Sequence, residues 1–91
     1  MEEDTPLIAL ARNKASENPT DLELRFALGK RLHEAARFEE SLGELRLAKQ
    51  IPKRRKEALG LLAIAFEKTG RREEAERIVR QIADESFEED D

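Results

Sequence analysis

Two stretches of the chain carry the same pattern at an offset of 34: "RFEESLGEL" at 37–45 and "RREEAERIV" at 71–79. Arg71 falls on Arg37, Glu73 on Glu39, Glu74 on Glu40, Ala75 on Ser41 and Val79 on Leu45. Charged residues make up 42% of the chain, so charge echoes alone are weak signs of a repeat. The apolar register is the stronger test. Leu28 aligns with Leu62, Gly29 with Ala63, Leu32 with Phe66, Leu45 with Val79 and Ala48 with Ile82. Small falls on small and large on large, at the positions a packed helix pair needs. A period of 34 with two helices per unit means an array in which each unit buries its apolar face on the next.

The punctuation predicts five helices. Thr5 is placed to cap the first, with Pro6 at its first position and a weak apolar stripe of Leu7, Ala11 and Ala15. Asn18-Pro19 ends it, because the residue before Pro is pushed out of helical geometry. Thr20 and Glu23 have the spacing of a capping box for the second helix, whose apolar face is Leu24, Leu28 and Leu32. A third helix over 38–50 carries Leu42, Leu45 and Ala48, with Phe38 at its entry, and Pro52 marks a break. In the fourth, Leu59, Leu61, Leu62, Ile64 and Phe66 cover more than one face, which predicts a central helix packed on both sides and closed by Gly70. The fifth, about 71–85, turns Ala75, Ile78, Val79 and Ile82 inward. No strand is predicted, since Val, Ile, Thr, Tyr and Trp are scarce.

These residues resemble the tetratricopeptide repeat family. Leu28-Gly29 matches the family's central Leu-Gly pair and Ala48 its late Ala; Leu59, Leu62, Ala63, Phe66, Gly70 and Ala75 fall on successive positions of the second unit. The resemblance implies an all-α fold of antiparallel helix hairpins in a right-handed superhelix. One domain is expected: a leading helix at 5–17, repeats at 22–55 and 56–89, and acidic ends at 1–4 and 85–91. The departures are Arg25 and Leu59 where an aromatic is usual, Ala36 where Gly is common, and Pro52 one residue early. "NPTDLELRFALGKRLHEAARFEESL" also bears a weaker likeness to the helical tail of thioredoxin-fused co-chaperones, without any thioredoxin domain in this chain.

The family's groove positions fall on Glu23, Phe26, Lys30, His33 and Glu34, then on Glu57, Gly60, Ile64, Glu67 and Lys68. The resemblance therefore implies a protein or peptide partner, with Phe26 and Ile64 as apolar anchors, Lys30 and Lys68 as charges, and His33 between them. The family's carboxylate clamp is not expected. Phe26 and Lys30 replace its first Lys and Asn, Leu61 replaces the next Asn, and a third repeat is missing. Other roles stay open: Phe26 and Ile64 as core, and Lys30 and Lys68 as solvated charge. His33, the only His, has no second ligand or partner in the sequence for metal or catalysis.

Charge separates the ends from the body. The chain has 91 residues and a formal charge of −4, with 21 acids and 17 Lys plus Arg. Eight of the 21 acids are Glu2, Glu3, Asp4, Glu85, Glu88, Glu89, Asp90 and Asp91; the other 13 face all 17 cations, leaving the body at +4. The acidic ends read as solvated tails, with competition for a basic surface as the other reading. The run Lys53, Arg54, Arg55, Lys56 suits phosphate, but it is short and lacks stacking aromatics. A solvated turn is expected there, an acidic protein partner is the intermediate reading, and nucleic acid is the weakest.

Without Cys there is no disulfide or thiolate chemistry, and no apolar run would span a bilayer. The acidic start is unlike a signal peptide, so a cytoplasmic location is expected. No Gly-rich phosphate loop, His pair or nucleophile elbow appears; no enzyme activity, metal or cofactor is expected. The expected function is a non-catalytic protein-interaction scaffold. The structural alternative is a homodimer that buries Leu61, Ile64 or Phe87.

Overall fold

The computed structural model describes residues 3–89, and the side chains of residues 3–85. It is all-α among these residues: α1 (Pro6–Glu17), α2 (Leu22–Glu34), α3 (Phe38–Ala48), a 3-10 turn (Pro52–Arg54), α4 (Arg55–Lys68) and α5 (Arg72–Glu89). Each helix packs on the next, and α2 also meets α4.

The helix ends repeat at the same offset as the sequence. At the end of α2, the Arg37 amide donates to the Leu32 carbonyl at 2.9 Å and the Ala36 amide to His33 at 3.0 Å. At the end of α4, Arg71 donates to Phe66 at 2.7 Å and Gly70 to Glu67 at 3.1 Å. Both are Schellman caps, which need a left-handed residue after the helix. Gly70 takes it at φ +81°, and Ala36 takes it at φ +62° despite its Cβ. Glu39 and Glu40, then Glu73 and Glu74, follow in the first turns of α3 and α5, where negative charge suits the helix dipole.

At the start of α1, Thr5 Oγ1 accepts from the Ile8 amide at 3.3 Å, as expected. The cap of α2 is Asp21 rather than Thr20: its carboxylate accepts from the amides of Glu23 (3.0 Å) and Leu24 (3.3 Å). Glu23 does not complete a capping box, because its side chain pairs with Arg54 and Lys53.

Two apolar clusters run through the array. Ile8, Ala15, Leu28 and Leu32 join α1 to α2. A larger one, including Leu42, Leu45, Leu59, Leu62 and Phe66, joins α2 through α5. α4 is central as expected, with Ala58, Leu59, Leu62, Ala65 and Phe66 buried. Gly29 lets α3 approach α2 closely: a Cβ there would lie 3.1 Å from Leu45 Cδ2.

Two predicted stripes are corrected. On α1 the buried residues are Ile8 and Ala15, while Leu7 is 55% exposed and Leu10 52%. On α5 Ala75 is buried and Ile78 and Ile82 are half-buried, but Val79 is 56% exposed. The equivalent residues on α3, Ser41 for Leu7 and Leu45 for Val79, are buried on a helix with neighbours on both sides, whereas α1 and α5 have a neighbour on one side.

Candidate partner-binding groove

α2 and α4 lie side by side and are parallel members of successive units, so residues at the same register of each share a face. Ion pairs cross that face. Lys30 Nζ lies 2.9 Å from Glu57 Oε2, and Glu23 receives Arg54 at 3.1 Å and Lys53 at 3.7 Å. One turn past Glu57, Gly60 leaves open space: a Cβ there would have nothing within 4 Å. Ile64 follows a turn later, 46% exposed, and Lys68 stands at the end of α4.

Phe26 is core. It is 5% exposed, and Lys30 Nζ and the Arg54 guanidinium cover its ring at 5.5 and 5.6 Å from the centroid. The helical register that put it toward the groove also puts it under two long cations, which screen it from solvent. Lys30 is thus engaged twice, on Glu57 and on the ring.

His33 faces inward to the junction of α2, α3 and α4. Its ring meets Phe38 edge-on, with centroids 5.1 Å apart and planes at 86°. Burial lowers its pKa, opposed by a hydrogen bond with the Leu61 backbone and by the charge of Glu34. Its Nε2 is buried without a hydrogen-bond partner among the described residues. Lys30, Gly60 and Ile64 therefore share the face, Lys68 extends it, Phe26 lies beneath and His33 lies behind. Leu61 is half-buried against the core, and Phe87 falls outside the described side chains.

The basic run is engaged within the chain. Lys53 and Arg54 serve Glu23; Arg55 grips Glu85 with Nε and Nη2, each at 2.8 Å, and donates from Nη1 to the Lys49 carbonyl at 3.3 Å. The Arg55 hydrogen bond, ahead of other influences that include the charge of Lys56, lowers the Glu85 pKa. The run is solvated and paired at once: Lys53 is 75% exposed, while Lys53, Arg54 and Arg55 make tertiary ion pairs with Glu23 and Glu85.

Two residues of the acidic ends are structural, correcting their reading as solvated tails. Glu85 ties α5 to the start of α4. Asp4 receives Arg37 at 2.6 Å and Arg12 at 2.8 Å, while Arg37 also donates to Glu40 at 2.6 Å. The Arg12 and Arg37 hydrogen bonds hold Asp4 down at about 2. The Arg12–Glu40 pair at 3.3 Å reappears one repeat later as Arg46–Glu74 at 3.9 Å, so the repeat reaches back into α1.

No protein-family model and no curated protein matches the chain. Among solved structures, one titled "MamA D159K mutant 2" aligns with a TM-score of 0.77 at 25% identity, over 88% of this chain. MamA is a tetratricopeptide-repeat protein, and this chain spans 44% of the length of that one. Among the described residues, no helix is long and apolar enough to cross a membrane. The likeness agrees with the recurrence of caps and ion pairs at the repeat period: the chain has a tetratricopeptide-like helical-repeat fold.

Proposed function

We propose that the chain is a non-catalytic scaffold that holds a segment of a protein partner along the face shared by α2 and α4. The observation that carries this reading is Ile64 standing exposed beside Gly60 in an otherwise charged surface. A glycine inside a helix costs about 0.5–1 kcal/mol relative to alanine. No packing explains Gly60, since a Cβ there would meet nothing. Bare backbone at that point lets a partner approach closely, and Ile64 offers it an apolar contact. Lys30, Glu57 and Lys68 supply charge of both signs around that contact, favouring a polar segment with one apolar anchor.

The test is affinity capture from a lysate of the source organism with wild type and a Lys30→Glu, Ile64→Glu variant, after circular dichroism shows equal helicity and stability. A protein held by wild type alone supports the groove. Equal capture by both removes the α2–α4 face from the reading.

A further inference from the structure

α3, with a helix packed on each side, shows what α1 and α5 lack among the described residues. On α3, Ser41, Leu45 and Ala48 are fully buried and Leu42 is 5% exposed, because α2 covers one side and α4 the other. One repeat back along the chain, Ser41 and Ala48 become Leu7 and Lys14, both exposed. One repeat forward, Leu42 and Leu45 become Glu76 and Val79, again exposed. On α3 these positions are covered, Leu45 lying against Gly29 of α2 and within the cluster shared with α4, whereas α1 and α5 each have a neighbour on one side only. Among the described residues, the large apolar side chains left exposed are Leu7, Leu10, Leu47, Ile64 and Val79. Three of these five lie on the two end faces.

The two faces differ in shape and charge. At the α1 end, Leu7, Leu10, Leu24 and Ala27 line a groove of about 170 Å³ between α1 and α2, with Lys14 and Arg31 on its rim. At the α5 end the surface is a ridge of Val79 and Ala83, flanked by Glu76 and Asp84 with Arg80 among them. We propose that the α5 ridge of one copy seats in the α1–α2 groove of a second copy. Val79 enters between Leu7 and Leu10, and Glu76 and Asp84 face Lys14 and Arg31.

A symmetric pairing of two grooves would set Lys14 and Arg31 against their own copies, and like charges across an interface disfavour it. The contact is therefore head-to-tail. Each copy keeps one face free, so association continues along a row instead of closing at a dimer. It buries one helix face on one shallow groove, at the small end of interface sizes, so it is weak and depends on concentration. It goes beyond the groove reading and does not use Ile64.

Sedimentation equilibrium of the 91-residue chain at low salt tests it, from about 10 μM to about 1 mM, a range that brackets an interface this small. The weight-average mass of wild type should climb from 10.4 kDa to more than twice that value. Leu10→Lys and Val79→Lys should each stay at 10.4 kDa, because either change spoils every contact between identical copies. Mixed at equal amounts, they should form a species of twice 10.4 kDa and stop there, since one brings an intact ridge and the other an intact groove. Should circular dichroism show that Leu10→Lys loses helicity, Lys14→Glu replaces it with the same expected pattern. Wild type that stays at 10.4 kDa throughout overturns the proposal, and so does association of Val79→Lys alone, the mark of a groove-to-groove dimer.

Discussion

Ala36 and Gly70 occupy the same place in successive units, and only one of them suits it. Both close a helix with the same pair of backbone hydrogen bonds and both have positive φ. Holding a residue with a Cβ in the left-handed region costs about 1–2 kcal/mol. Ala36→Gly relieves that cost but returns about 0.4–1 kcal/mol through the freer unfolded chain. Ala36 is exposed, so no packing is lost with its methyl group. The net stabilisation is about 0.5–1 kcal/mol. In a domain of this size each kcal/mol moves Tm by about 4–8 °C, which gives a rise of about 2–8 °C.

Gly70→Ala is the reciprocal experiment. A Cβ at Gly70 meets nothing within 4 Å, so its effect is confined to the backbone, and it should lower Tm by a similar amount. Thermal unfolding of wild type and both variants, followed by circular dichroism in one buffer, measures the pair. The reasoning fails if Ala36→Gly leaves Tm unchanged or lowers it while Gly70→Ala costs stability. That result would mean α2 does not need a left-handed residue at its end.

Gly29→Ala should destabilise by about 1 kcal/mol, read from a urea midpoint: helix propensity favours Ala, but its Cβ would press on buried Leu45 and on Glu44 Cβ at 3.1–3.2 Å. Gly60→Ala should do the opposite, raising stability by about 0.5–1 kcal/mol in the same assay while weakening partner capture, because only the bare surface is lost. Acid should destabilise the fold in two windows. His33 has a folded pKa below 6.5, so its contribution is present above 6.5 and fades as pH falls through the folded value; in a series of melts His33→Gln should flatten that limb. Asp4 falls from 3.8 to about 2 on folding, so its contribution is present above 3.8 and is lost toward pH 2; Asp4→Asn should be less stable at neutral pH and converge on wild type in strong acid.

What the sequence made legible, and what it did not, divides along one physical line. Features fixed by backbone geometry or by packing between successive helices recur once per repeat, and a single chain displays them twice. The left-handed positions at Ala36 and Gly70 and the small residues Gly29 and Ala63 are of this kind. Val79 departs from its expected burial because a repeat describes the interior of an array, where each helix has two neighbours, and Leu7 departs because helical spacing alone does not say which face of α1 meets α2. At the ends the same register faces solvent, so the pattern remains while the burial it implies is gone.

The groove was legible only in outline for a second reason. Whether Phe26 is an anchor or core depends on where Lys30 and Arg54 lay their long side chains, and spacing along α2 does not reveal that. Glu85 and Asp4 make the same point from the opposite direction. Read from composition they belong to acidic tails, yet Arg55 reaches Glu85 across 30 positions and Arg37 reaches Asp4 across 33. Both arginines come from the boundaries of helical units, where a flexible cation has space to turn toward a neighbouring helix. Each carboxylate thereby holds a terminal segment against the array, and Glu85 engages one cation of the basic run, Arg55. On the proposed reading, what a partner would meet is narrow: an apolar contact at Ile64, bare backbone at Gly60, and the charge of Lys68 where α4 ends.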